Sequence, residues 1–554
     1  MSSWMNHYPR PQLRRESFLP LQGPWTLNGQ MINIPFPPQS AGSGFQGEAG
    51  DTLRYETTFE LPEGFLPSGC RLRLHLGAVD QIADVFVNGK HLARHKGGYL
   101  PFHADVTEVL TPGENQLTVL AVDKLDHDYP YGKQSKQRGG MWYTPVSGIW
   151  QTVWLEAVPD KCIEGLRILP DLEGIELTVD SEAAHCDAVV TLDGTEIARA
   201  SWAQTGKSRR IDIPQEHRRS WTPDAPQLYD LTVHAGADTV HSYFALRTVD
   251  VHADGQGRQR ICLNGEPVFL NGVLDQGYFT DGIYLPAEPE EYERDVLRMK
   301  ALGFNMLRKH IKVEPEAFYY ACDRLGMLVL QDMVNNGSYN FILDTALPTI
   351  GMKYTPHLPV SRQRKVIFEQ HARDTQAHLY NHPCVIGYTI FNEGWGQFDT
   401  ERLYRLLREL DPSRFYDAAS GWFEPQETDV DSVHVYFRNK RLQPGKRPML
   451  LSECGGYARP VTGHLFQPDA KYGYGKTDTE AQLTAAIARM YTEMVNPAIP
   501  KGLCGVVYTQ LSDVEDEING LYTYDRQVCK VDEARMKEIM AEAEGIFAMA
   551  TTGK

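Results

Sequence analysis

Asn392-Glu393-Gly394 closes the apolar run Val385 to Phe391, and a second glutamate, Glu453, closes the run Met449 to Ser452. If both runs are parallel strands of one barrel, their carboxyl ends share a rim and the two side chains face each other there. A facing pair of carboxyl groups is the apparatus of acid-assisted glycosidic bond cleavage: one gives a proton to the leaving oxygen while the other acts at the anomeric carbon. Taken singly, either glutamate reads equally well as a polar turn residue after a buried strand. The chemistry rests on the pair.

The elements that would position this pair begin after Leu263-Asn-Gly-Glu266, where helical periodicity starts to alternate with buried apolar strands, the pattern of βα units on a parallel sheet. A helix from about Glu288 carries Tyr292, Val296 and Met299 on one face and stops at Gly303. The next begins around Pro315 and stops at Gly326. Continuing in this way, strands fall near Val268 to Val273, Asn305 to Lys309, Leu328 to Asp332, Val385 to Phe391, Phe415 to Ala419, Val433 to Tyr436, Met449 to Ser452 and Gly505 to Thr509. Eight strands suit a closed (β/α)8 TIM barrel over 252–554, with Glu393 after the fourth and Glu453 after the seventh. The polar residues at the same rim are Asp275 and Gln276, Arg308 and His310, Asp332, Asn392, His434 and Tyr436, and Gln510 with Asp513. Asp332 is as well placed to tether the next loop, and His434 to be a satisfied core histidine. The long connection from Asn335 to Val360 is expected to overhang the mouth.

Upstream the texture differs. Short alternating runs such as Arg71-Leu-Arg-Leu-His-Leu76 and Gln116-Leu-Thr-Val-Leu-Ala-Val122, separated by Asn88-Gly89 and Pro112-Gly113, predict an antiparallel sandwich within 1–158. A smaller β segment over 159–251 has the size of an immunoglobulin-like module. A chain of 554 residues with a net charge of −17 is multidomain and repels nucleic acid and anionic membranes. It suits an uncharged partner, a small carbohydrate or glycoside, and self-association into a homo-oligomer stays open. Nine scattered cysteines, with no C-x-x-C pair and no secretory or membrane-spanning apolar stretch, point to the reducing cytoplasm.

The sequence resembles glycoside hydrolase family 2, the β-galactosidase and β-glucuronidase family, across nearly its whole length. The motifs that carry the resemblance outside the barrel are Val79-Asp80-Gln-Ile-Ala-Asp-Val-Phe-Val-Asn-Gly89, Gly97-Gly-Tyr-Leu-Pro-Phe102, Gly148-Ile-Trp-Gln-Thr-Val-Trp154 and Trp221-Thr-Pro-Asp-Ala-Pro-Gln-Leu-Tyr229. Inside it they are Leu263-Asn-Gly-Glu-Pro-Val-Phe-Leu270, Gly303-Phe-Asn-Met-Leu-Arg308 and Phe391-Asn-Glu-Gly394. The family implies a jelly-roll sugar-binding domain, an immunoglobulin-like domain and a catalytic barrel, in that order. It also implies that Glu393 is the acid and later the base, and Glu453 the nucleophile that forms a glycosyl ester, with net retention. Direct attack of this kind needs carboxyl groups about 5 to 5.5 Å apart rather than about 6.5 to 9.5 Å. Arg308 or Tyr436 would keep Glu453 ionised, and Asn392 would donate to the sugar 2-hydroxyl.

The family pattern is also broken in places. Some of its galactosidases bind magnesium through a glutamate and the histidine of an Asn-His-Pro motif, and here Asn381-His382-Pro383 is preceded by Tyr380, so neither a metal nor another cofactor is expected. Its β-glucuronidases carry Asn-x-Lys after strand eight, which the stretch Ile518 to Arg526 lacks; Lys309, Lys312 or Arg526 would have to serve another uronic acid. Trp395, Trp422 and Tyr508 are the aromatic candidates for a sugar platform. The expectation is a retaining exo-glycosidase, acting foremost on β-galactosides. A β-hexuronidase or α-L-arabinosidase of the same fold is the alternative, and a noncatalytic carbohydrate-binding protein is the alternative from another class.

Overall fold

The protein is described by a computed structural model over residues 3–203, 206–349 and 359–552. The first sandwich packs a six-stranded antiparallel sheet, in the order Gln30–Ile34, Gly23–Leu27, Thr52–Phe59, Asn115–Val122, Ile82–Val87, Lys90–Lys96, against a four-stranded sheet built on Cys70–Leu76 and Val153–Pro159. Alternation places Leu72, Leu74 and Leu76 of one sheet against Leu117, Val119 and Ala121 of the other, all fully buried. A second, smaller sandwich pairs a three-stranded sheet around Gly174–Ser181 with a four-stranded sheet around His185–Leu192 and Tyr229–Ala235.

Eight parallel strands follow: β1 (Leu270–Asp275), β2 (Met306–Lys309), β3 (Leu328–Asp332), β4 (Val385–Thr389), β5 (Phe415–Asp417), β6 (Asp431–Val435), β7 (Met449–Gly455) and β8 (Leu503–Thr509). Their order around the barrel is β5-β4-β3-β2-β1-β8-β7-β6, so β4 and β8 stand on opposite sides. The barrel is nearly closed. At the seam between β5 and β6 the Thr428 hydroxyl accepts from Ala418 N at 3.1 Å and lies 3.1 Å from Val430 O.

Helices α1 (Glu290–Ala301) and α2 (Glu316–Leu325) lie where the periodicity places them, with Tyr292, Val296 and Met299 buried. Acidic Glu290, Glu291 and Glu293 in the first turn of α1 complement its dipole. Gly326 ends α2 at φ 72°, where a side chain would also strike the Pro223 backbone, so only glycine hands the chain over to β3. Only β3 keeps the bounds read from the sequence, and the differences at β4 and β7 bear on the site. β4 stops at Thr389, because Asn392 leaves the ladder to bridge Ser420, and β7 runs on through Glu453 to Gly455.

Candidate active site

Beyond β4 the chain makes a strained turn. Glu393 N donates to Ser420 O at 2.9 Å and Ser420 N to Phe391 O at 2.8 Å, locking the ends of β4 and β5 together. Glu393 then takes φ 54° and Gly394 φ 76°, both left-handed. For glutamate this is a costly conformation, and the residue after it must be glycine because a side chain there would collide with the Phe423 ring.

At β7 the irregularity is a bulge. Its pairing with β8 jumps from Leu451 to Cys454, so that Ser452 and Glu453, neighbours that a regular strand would send to opposite faces, both reach the interior. Ser452 O and Glu453 Oε1 accept from the same nitrogen, Arg308 Nη1, at 2.9 and 3.0 Å.

Together these devices bring the two carboxyl groups onto one histidine. His434 Nδ1 lies 2.7 Å from Glu393 Oε1 and 3.5 Å from Glu453 Oε2, and the ligand atoms of the three residues all fall within 4.8 Å of one another. The other ring nitrogen of His434 is 2.8 Å from Ser420 Oγ. Tyr436 donates to Glu453 Oε2 at 2.5 Å, is 3.0 Å from Thr509 Oγ1, and stacks on Tyr474 at 3.9 Å. Arg308, fully buried, also donates to Asp332 Oδ1 through Nε at 3.0 Å and to Asn392 Oδ1 through Nη2 at 2.9 Å. Asp332 in turn holds His310 Nδ1 at 2.7 Å. With its oxygen engaged by Arg308, the Asn392 amide keeps its N–H groups as its remaining polar function. Trp422 stands edge-on to His434 at 5.5 Å.

The electrostatics hold Glu453 ionised. Burial alone would raise Glu453, but His434, Arg308 and His310 and the Tyr436 hydroxyl outweigh it and lower its carboxyl from 4.5 to about 2. Asp332, likewise pushed up by burial, is pulled below the usual carboxylate range by Arg308 and His310. Glu453 therefore enters every neutral-pH encounter as an anion. A carboxylate held below its unfolded value binds fewer protons in the native state, so its stabilisation is complete above pH 4.5 and fades as the pH falls towards 2. We expect the gap in urea midpoint between wild type and Glu453→Gln to narrow between about pH 6 and about pH 3.5; a constant gap would contradict this electrostatic account.

The opposite side of the mouth is a polar network that crosses domains. Gln276 Nε2 donates to Gln510 Oε1 at 2.7 Å and to the Tyr143 hydroxyl at 2.6 Å. Gln510 donates on to Asn519 at 2.8 Å, and Asn519 to Glu517 at 2.9 Å. Tyr143, from the first sandwich, donates to Glu517. Trp142 and Lys133 arrive on the same segment, with the Lys133 ammonium 6.0 Å from the Trp142 ring centre and 5.9 Å from that of Trp395. Sequence reasoning missed Lys133, Trp142 and Tyr143, since strand-end logic searches only the barrel, and Glu517, which lies in the loop well past the end of β8.

Several expected rim residues do not join the pocket. Asp275 pairs instead with Lys309 at 2.6 Å, because the neighbour of an inward Arg308 points outward. Lys309 and Lys312 are both buried against Glu314, and Arg526 against Asp295, so all three charges are met within the protein. Asp513 pairs with Lys530 at 2.6 Å. Tyr508 is turned away from Thr509 and fully buried beside Gly455 and Tyr457, offering no platform. Trp395 is 2% exposed, with the rings of Trp142, Tyr131 and Tyr339 edge-on at 5.0, 5.6 and 5.8 Å, and so backs the wall rather than presenting a face. His382 is fully buried against Asp323 at 2.7 Å, and Tyr380 supplies no carboxylate, so these residues do not fit the magnesium site of some relatives. Of the long connection, 350–358 lie outside the described residues; its earlier part meets the mouth through Tyr339, 5.4 Å from Trp142.

Known proteins resemble this chain in sequence and in fold. A model of the sugar binding domain of glycosyl hydrolases family 2 matches residues 25–159, and one of that family's TIM barrel domain matches 257–472. A β-galactosidase of Enterobacter cloacae is 26% identical over 489 residues, covering 80% of this chain, and one of Thermoanaerobacter pseudethanolicus is 24% identical over 494 residues, covering 83%. The chain spans 43% and 60% of the lengths of those two proteins. The solved structure of a β-D-glucuronidase of Dictyoglomus thermophilum superposes with a TM-score of 0.76 over 97% of this chain and 98% of that one, at 18% identity, a likeness of fold. No helix among the described residues is long and apolar enough to cross a membrane.

Proposed function

The chain belongs to glycoside hydrolase family 2, and from that premise we propose that it is a retaining exo-glycosidase that removes a terminal β-D-galactosyl unit. The observation that carries the reading is the juxtaposition of Glu393 and Glu453, whose oxygens share one histidine within 4.8 Å. That closeness suits direct attack rather than the wider separation of about 6.5 to 9.5 Å that inversion through a water uses. Glu453, anionic between Arg308 and Tyr436, attacks C1 while Glu393 protonates the departing glycosidic oxygen. The product of this step is a glycosyl ester on Glu453. Glu393, now deprotonated, takes a proton from water, which attacks C1 from the face that the aglycone left and restores the original anomer. Asn392 supplies its N–H to the 2-hydroxyl, a contact that tightens as the ring flattens.

A neutral glycone is favoured because Lys309, Lys312 and Arg526 are buried in other ion pairs and the loop after β8 brings a carboxylate, Glu517, to the network at the mouth. A panel of 4-nitrophenyl glycosides tests this, with proton NMR of the first-formed sugar. We expect the β-galactoside to have the highest kcat/KM, a uronide at least about tenfold below it, and the β-anomer as first product. An α-anomer first would overturn retention, and a preferred uronide would overturn the neutral glycone.

A further inference from the structure

Among the described residues, the cations at the end of β2 and in the loop after β8 are paired with carboxylates, and Lys133 is not. Arg308, Lys309, Lys312, Lys530 and Arg526 each pair with at least one carboxylate within 3.4 Å. Lys133 has no carboxylate within ion-pairing distance among the described residues, although it is part-buried on a segment pinned firmly to the barrel. The pins are Tyr131 N to Asn335 O at 3.1 Å, Tyr143 to Glu517, and Thr144 N to Glu515 at 3.1 Å. The lysine ammonium itself stands over the indoles of Trp142 and Trp395, 6.0 and 5.9 Å from their ring centres, which fixes its position. Lys133 O accepts from Tyr143 N at 3.0 Å, and the hydroxyl of that same tyrosine donates to Glu517, beyond β8.

We propose that Lys133, delivered by the sugar-binding domain, is a specificity-determining residue of the glycone pocket, where its ammonium and the Glu517 carboxylate together recognise hydroxyl groups on the ring edge remote from C2. This rests on the glycosidase reading above and deepens it. The barrel order supplies the direction. Asn392 ends β4 and reads the 2-hydroxyl, and β8 stands diametrically across. In a pyranose, C5 lies across the ring from C2, so the groups that face β8 are the 4-hydroxyl and the 6-hydroxymethyl. An ammonium offers three donors and no acceptor, while Glu517, already accepting from Tyr143 and Asn519, is acceptor-only as an anion. A hydroxyl satisfies both at once, receiving from Lys133 and donating to Glu517. A carboxylate at C6 satisfies only the lysine and meets Glu517 as a like charge.

Lys133→Met keeps an unbranched apolar stem and removes the ammonium. Its kcat/KM is to be measured on 4-nitrophenyl β-galactoside and on the 2-, 4- and 6-deoxy analogues, beside wild type. We expect a loss of roughly 10- to 100-fold on the parent and on the 2-deoxy analogue, and little or no further loss on the 4-deoxy or the 6-deoxy analogue, because the contact removed by the mutation is already absent there. An equal loss on all four substrates makes Lys133 a packing residue and overturns the proposal, as does no loss on any. If wild type leaves the galactoside untouched but cleaves another glycoside, the galactoside reading fails by itself. The same cycle on the deoxy series of that sugar then decides the role of Lys133.

Discussion

Glu453→Gln is expected to lower kcat on an activated aryl glycoside by at least about 10⁴-fold while leaving the thermal midpoint at neutral pH within several degrees of wild type. The large effect follows from chemistry alone, since an amide oxygen does not displace a leaving group from C1 and no ester forms. The small structural effect follows from the surroundings. A glutamine can keep its oxygen on Arg308 Nη1 and turn its nitrogen towards the Tyr436 hydroxyl, which has Thr509 Oγ1 at 3.0 Å as a second partner. A 2-deoxy-2-fluoro glycoside, which slows ester hydrolysis, separates this role from an indirect one. Wild type should gain the mass of one glycosyl unit on the peptide containing Glu453, and the variant should gain none. Labelling of any other residue, or a rate within tenfold of wild type, would remove Glu453 from the mechanism.

The barrel was legible in the sequence because its helices are amphipathic and its strands are short apolar runs between glycine stops, and both signals are local. All eight strands lie within a few residues of where the pattern puts them, and Leu328 to Asp332 coincides end to end. Glu393 and Glu453 were legible as the acidic residues at two strand ends. What each strand end does with its side chains was not. Lys309 and Asp275 point away from the axis while Arg308 points inward, a matter of strand parity that an apolar run buried on both faces does not reveal. The bulge that turns Ser452 and Glu453 inward together is likewise invisible before pairing is known. Tyr508 was misjudged for the same reason: its neighbour Thr509 holds the inward position. Lys133 and Tyr143 lie more than 100 residues from any barrel strand, and only the docking of the first sandwich carries them to Glu517. Long-range assembly, not local propensity, completes this pocket.

Glu393→Ala should divide the two chemical steps rather than abolish both, and that division is what distinguishes an acid/base from a residue that merely shapes the site. Without the proton donor, ester formation depends on the aglycone. A 2,4-dinitrophenolate leaves unaided, so its glycosylation step should fall little, whereas an alkyl or unactivated aryl glycoside should lose on the order of 10²- to 10⁴-fold. Without the base, the ester on Glu453 waits for water, and the dinitrophenyl substrate should show a burst followed by a slow steady state. Azide needs no deprotonation and fits the space the carboxylate vacates beside His434, so it should raise the steady-state rate and give the β-glycosyl azide. Glu453→Ala with azide should give the α-azide instead, by single displacement from the opposite face. Because His434 Nδ1 stands 2.7 Å from Glu393 and 3.5 Å from Glu453, simple disturbance of this cluster would harm both variants alike. Opposite azide anomers from the two variants exclude that explanation; equal losses across aglycones with no azide acceleration would mean that Glu393 positions its neighbours and the proton comes from elsewhere.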